Sequence, residues 1–306
     1  MRRTTDRLAV FGLALLLQTV AQALLGPPPD GRSSWLAWAL ERASRALDIP
    51  PRLRPLAPLA AAALAVRGAA LLEQGVSRRR PAGWARLFAL ISEALLFATT
   101  FDAWRSLGAA TTAERELEQD PPDPVAAEGR VETELGLLAQ GVSEGVVGPW
   151  AAYAAFDLPG AVAYAAAESL GGRGGGAEGP LAALIDPKRR LVSVRRARDT
   201  IAGAATLAAR GRGELAALDL EEFAIGSETP LPVTAMTVAL DRRVVWNGRV
   251  AGWARPAPST QDLARGRWLA LRSLGILAAA AAVCIALGDL IRPVPAESPT
   301  REDGWG

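Results

Sequence analysis

The chain contains no histidine and only one cysteine and one lysine in 306 residues. Without histidine there is no imidazole proton shuttle, no Ser-His-Asp arrangement and none of the usual zinc sites. Any chemistry has to rest on carboxylates, arginines or the backbone. A lone cysteine, Cys284, excludes an intrachain disulfide and sits in an apolar run, where a buried thiol is ordinarily inert. Excess charge is also small, +2 at neutral pH. No basic stripe is interleaved with aromatics, so nucleic acid is not an expected partner.

What the chain does have is apolar residues, half of the total, and they gather into blocks of membrane-spanning length. Leu8 to Gly26 is uncharged, preceded by Arg2, Arg3 and Arg7 and closed by Gly26-Pro27-Pro28-Pro29. A signal peptide is the competing reading, but the run exceeds the usual ~7–15 apolar residues and Gln18 and Gln22 interrupt it. It is expected to be the first membrane helix. Leu56 to Leu72 and Trp84 to Trp104 are the second and third blocks. They carry Arg67 and Glu93, each costing at least about 2.5–3.5 kcal/mol at depth. Either the two pair, or Arg67 snorkels and Glu93 faces the bundle interior, or Glu93 is a functional carboxylate. A fourth block, Val146 to Ala167, is interrupted by Asp157-Leu158-Pro159-Gly160, which implies two short helices or one broken, re-entrant helix. Trp268 to Ile291 is the last block.

Between the blocks, Ala113 to Glu134 is acidic and reads as a solvated loop, while Ser33 to Leu47 has the pattern of an interfacial amphipathic helix. The run Gly171 to Gly176 lacks the Lys-Ser/Thr of a phosphate loop and is expected to be a connector. In the polar stretch that follows, Thr200 to Ala209 is too short to span, and Arg198-Asp199-Thr200 is expected to cap it. Val233 to Leu240 and Val244 to Trp246 are expected to pair as short strands.

The expected fold is therefore all-α, a polytopic helical membrane protein of about five spans. It divides into a membrane helical region over 1–170, a polar cytoplasmic segment over 171–266, and a final helix and tail over 267–306. Arg2, Arg3, Arg7, the Arg78 to Arg80 turn and the Lys188 to Arg198 segment orient it with a cytoplasmic amino terminus in the cell membrane, and with lipid as its partner. The acidic stretch then falls outside. Arg32, Arg42, Arg45, Arg52 and Arg54 resist this orientation, because their connection also falls outside.

One segment is more specific: Ala139-Gln140-Gly141-Val142-Ser143-Glu144-Gly145-Val146-Val147-Gly148-Pro149, then Leu158-Pro159-Gly160-Ala161, Tyr164 and Glu168-Ser169-Leu170-Gly171. It resembles the core of the CobD/CbiB cobalamin-biosynthesis family, with an Ala-Glu-Asn-x-x-Asp-Gly-x-x-x-Pro segment, a Pro-Gly-Ala turn, a tyrosine and Asn-Thr-Leu-Asp. Apolar and turn positions match, whereas Gln140, Gly141, Glu144, Glu168, Ser169 and Gly171 replace the family's polar residues. The resemblance implies adenosylcobinamide-phosphate synthesis, in which a corrinoid carboxylate is joined to aminopropanol or its phosphate with ATP and magnesium. It also implies Glu144 and Glu168 as metal-holding catalytic carboxylates, Arg198 as a phosphate-neutralising cation, and Gln140 and Ser169 as cofactor-binding positions. A second implication is an impaired relative, a membrane scaffold or regulatory protein like the AmpE-type proteins, because Gln140 brings no charge and Gly171 no ligand.

Overall fold

The computed structural model describes residues 4–25, 36, 39, 42, 57–79, 83–102, 104–119, 123–170, 187–211 and 229–291. Alanine- and leucine-rich sequence favours helix throughout. In chain order the elements are α1 (Thr4–Leu25), α2 (Ala57–Arg79), α3 (Trp84–Ala98), α4 (Arg105–Gln119), α5 (Pro124–Val142), a π turn (Ser143–Val147), α6 (Gly148–Leu170), α7 (Pro187–Arg210), α8 (Leu231–Leu240), β1 (Val244–Trp246), β2 (Arg249–Ala251) and α9 (Thr260–Ile291). Among the described residues the fold is all-α apart from that hairpin, and two helices, over Thr4–Ala21 and Thr260–Gly288, are long and apolar enough to cross a membrane.

Helices α1 and α3 run parallel. Asp6 pairs with Arg86, Phe11 lies 6.1 Å from Phe97, and Gln18 donates to the Phe101 carbonyl, so partner numbers rise together. The short connection from Arg79 to Trp84 brings α2 back antiparallel to α3, where it packs on α3 and α6. Phe97 stacks on Tyr153 at 4.2 Å, and Trp150 meets Phe11 edge-on at 5.2 Å. Such pairs contribute about 0.5–1.5 kcal/mol each beyond the area they bury. They also set the direction of α6, because Trp150 meets the middle of α1 whereas Asp157 reaches Arg7 near its start.

The fourth apolar block folds back on itself. In a continuous helix Gly148 and Tyr164 would stand about 24 Å apart, at ~1.5 Å per residue. Instead a Cβ at Gly148 would overlap the Tyr164 ring. The reversal is at Asp157, with φ 59 and ψ −158, a region left almost entirely to glycine and costing about 1–3 kcal/mol. Pro159 supplies the break, since it has no N–H and disfavours helical geometry at Leu158. The block is therefore two short helical arms folded against each other about Asp157.

Arg7, with no solvent exposure, holds the reversal. Its guanidinium forms an ion pair with Asp157 and donates to the Ala154 carbonyl at 2.8 Å and the Tyr153 carbonyl at 3.2 Å. These carbonyls end the first arm of α6 and cannot find their usual donors beyond the break. Tyr153 in turn donates its hydroxyl to the Arg7 carbonyl at 3.3 Å.

The acidic stretch is helical rather than a loop: α4 and α5 pack on each other, and Arg130 pairs with Glu116 between them. Two of its other carboxylates face arginines from the far end of the chain, Glu132 with Arg243 and Glu114 with Arg267. The acidic helices and the segment around 241–267 therefore share one end of the molecule. The expected strand at Val233 to Leu240 belongs to helix α8, because Pro230 opens a helical turn and Asp241 closes it in the left-handed conformation. Val244–Trp246 pairs instead with Arg249–Ala251 across Asn247-Gly248, both at positive φ as such a tight turn requires. The third block ends at Ala98 in a turn rather than at Trp104. Glu93 is fully buried, whereas Arg67 is exposed and no ion pair joins them among the described residues. Of Ser33 to Leu47, residues 36, 39 and 42 are described and helical; the rest lie outside the described residues.

Two stability predictions follow from this packing. Arg7→Met leaves Asp157 buried without its cation and should lower stability in detergent by about 3–5 kcal/mol. Adding Asp157→Asn should then cost much less than it does alone, and additive losses in thermal melts would count against the pair. In the cap, burial pushes the Glu134 carboxyl above its ordinary range, with Arg130 opposing and Glu116 adding to the rise. A carboxyl raised on folding carries no penalty while protonated in both states, and becomes destabilising as pH rises through the ordinary carboxylate range. Glu134→Gln should thus raise the melting temperature more at about pH 7 than at about pH 4.

Candidate functional site

The segment from Gln140 to Gly148 passes through a π turn over Ser143–Val147, a local widening that re-aims side chains and is frequent at functional sites. Small residues allow close approach here. Asp102 donates its N–H to the Gly145 carbonyl at 3.0 Å, and a Cβ at Gly145 would overlap the Asp102 carbonyl. A Cβ at Gly141 would crowd Ser106. These contacts seat the π turn against the start of α4, at the mouth of the α6 hairpin.

Helix α7 closes the other side of that mouth. Arg198 has only 4 % of its side chain exposed and lies 3.9 Å from Glu144 Oε1. It donates to Asp199 Oδ1 from Nε and Nη2, both at 3.2 Å, and to the Tyr164 hydroxyl at 3.3 Å. Ser143 donates its hydroxyl to the same Asp199 oxygen at 2.6 Å. Gln140 donates from Nε2 to Glu144 Oε1 at 2.8 Å, one helical turn away. Gln140, Glu144 and Arg198, picked out by motif, thus meet in one cluster drawn from α5, the π turn and α7. Glu168 and Ser169 lie in the last turn of α6, and their side chains are outside the described residues. Gly171 to Gly176 is also outside them.

Ser143 and Asp199 belong to the cluster and were not assigned to it from sequence. Asp199 was expected to cap a helix, but it lies well inside the 24-residue α7, so its carboxylate is available to Arg198. The signal for Ser143 was weak: it falls between two marked positions, and only the π turn rotates it toward α7.

Magnesium takes oxygen ligands in near-octahedral geometry at about 2.0–2.1 Å. The described donors do not fit it. Arg198 is shared between Glu144 and Asp199, and a dication there would have to compete with a guanidinium that is almost wholly buried. Where the family resemblance calls for a glutamate, Gln140 supplies an amide donor to Glu144. Two carboxylates at that spacing would repel and favour a cation between them; here the amide donates to the carboxylate instead. Among the described residues no group of three or more acidic, cysteine or histidine side chains could hold a metal ion. No family model, curated protein or solved structure matches the chain, so the reading of this cluster rests on its own geometry and on the motif residues that build it.

Proposed function

We propose that this chain is a multi-pass membrane protein with a CobD/CbiB-like core that has lost magnesium-dependent amide synthesis and acts as a membrane scaffold or regulatory protein. The membrane part is supported by the side chains its apolar helices present outward. Leu16, Val20 and Leu24 on α1, Leu64 and Leu71 on α2, Leu87, Phe88 and Leu95 on α3, and Ile276, Val283 and Leu287 on α9 are all exposed. A soluble protein rarely leaves so much contiguous apolar surface in water. Exposed Trp84 and Trp268 suit the headgroup level at the ends of such helices. In this reading α1, α2, α3 and α9 cross the bilayer, and the two arms of α6 enter and leave from the same side; the five apolar blocks thus make four crossings.

The observation that supports the loss of synthase activity is the Gln140–Glu144–Arg198 arrangement, in which an amide stands in place of a second carboxylate and a buried guanidinium stands where ATP-linked magnesium would have to bind. A corrinoid, ATP and magnesium are accordingly not proposed as ligands of this chain. The competing reading, an active adenosylcobinamide-phosphate synthase, makes the opposite prediction in one assay. Expressed in a strain lacking its own synthase, the chain should not restore cobalamin production, although it should accumulate in the membrane fraction and resist carbonate extraction. Restored production that disappears in Glu144→Ala would establish the synthase reading instead.

A further inference from the structure

We propose that the polar cap faces the cytoplasm and the amino terminus faces the opposite side of the membrane. This rests on the membrane reading above. It begins from parity. With five single crossings, the amino terminus and the segment over 171–266 share a compartment. A hairpin that returns to the side it came from removes one crossing, so the two must lie on opposite sides.

The contacts along the bundle fix which elements go together. At one end are the start of α1 and the start of α3, joined by Asp6 and Arg86, with the apex of the α6 hairpin at Arg7 and Asp157. At the other end are Gln18, Phe101, Asp102 and the π turn, which lead directly into α4 and α5. Leu36, in the connection from α1 to α2, donates its N–H to the Thr99 carbonyl at 2.9 Å and so marks that connection as belonging to the same end. The start of α9 belongs there too. Asp262 pairs with Arg242, Arg267 with Glu114, and a Cβ at Gly266 would overlap Leu135. From there α9 runs down past α6 and α1.

Arginines decide the orientation, because they are retained on the cytoplasmic side and acidic residues contribute little to that choice. By chain order the connection from α1 to α2 carries Arg32, Arg42, Arg45, Arg52 and Arg54, and the approach to α9 carries Arg242, Arg243, Arg249, Arg255, Arg265 and Arg267. By chain order the opposite side has Arg2, Arg3, the Arg78 to Arg80 turn, Arg86 and, after α9, Arg292 and Arg301, while Arg7 is buried against Asp157. The balance favours a cytoplasmic cap. It also accounts for the five arginines of the first connection, which a cytoplasmic amino terminus leaves on the wrong side. Acidic helices and arginine-rich segments then share one compartment, as their ion pairs require, and Glu144 at the hairpin mouth is approached from the cytoplasm.

Single cysteines in a Cys284→Ala background, at the exposed positions Thr5, Gln119 and Gln261, test this with a membrane-impermeant thiol reagent. In intact cells Thr5→Cys should be labelled, with Gln119→Cys and Gln261→Cys labelled only after permeabilisation. Labelling of Gln119→Cys or Gln261→Cys in intact cells, or protection of Thr5→Cys in a membrane-embedded chain, would overturn the orientation. If all three are protected and the protein is released by carbonate, the membrane reading itself fails, and the orientation with it.

Discussion

A guanidinium with no path to water must have all of its charge and hydrogen-bonding capacity met by protein, and at Arg7 that requirement organises the apolar half of the molecule. Its partners are a carboxylate and two main-chain carbonyls, all from one short stretch of α6. Because α1 supplies the cation, the first arm of α6 must end beside the start of α1. Because the carbonyls at 153 and 154 need donors, it can end there without leaving them unsatisfied in an apolar setting. The strained backbone at Asp157 is tolerable only where such contacts over-determine it.

The rest of the architecture follows from that reversal. An α6 that returns to its entrance places Tyr164 beside Gly148 and within reach of Arg198, so the motif residues gather at the hairpin mouth rather than along one rod. The cluster is internally hydrogen-bonded: Gln140 serves Glu144, Ser143 serves Asp199, and Arg198 joins both carboxylates to Tyr164. A buried guanidinium thus stands where a metal ion would have to bind. The same economy of charge runs through the cap, where carboxylates of α4 and α5 meet arginines from distant segments.

Helical character, the apolar blocks and the break at Asp157-Leu158-Pro159-Gly160 were legible because they depend on local composition and on proline. That the break reverses the chain was not decidable, since a kinked spanning helix and a hairpin share the same residues; the choice is made by Arg7, far away in sequence. The acidic stretch was misread as a loop because charge density suggests solvent exposure, whereas its carboxylates serve as partners for Arg243 and Arg267. Gln140, Glu144 and Arg198, marked by the family resemblance, meet in one cluster. Asp199 was not marked, because a residue next to an apolar turn looks like a cap until the helix preceding it is seen.

The central claim is the reversal itself, and proximity of Gly148 to Tyr164 tests it most directly. In a Gly148→Cys/Tyr164→Cys chain with Cys284→Ala, the clash is relieved and a short bifunctional thiol reagent should join the two positions. Mass spectrometry should then recover the corresponding cross-linked peptide pair from a single chain. Failure to link under conditions where both thiols react singly would indicate two positions about 24 Å apart, as in a continuous helix, and would contradict the account.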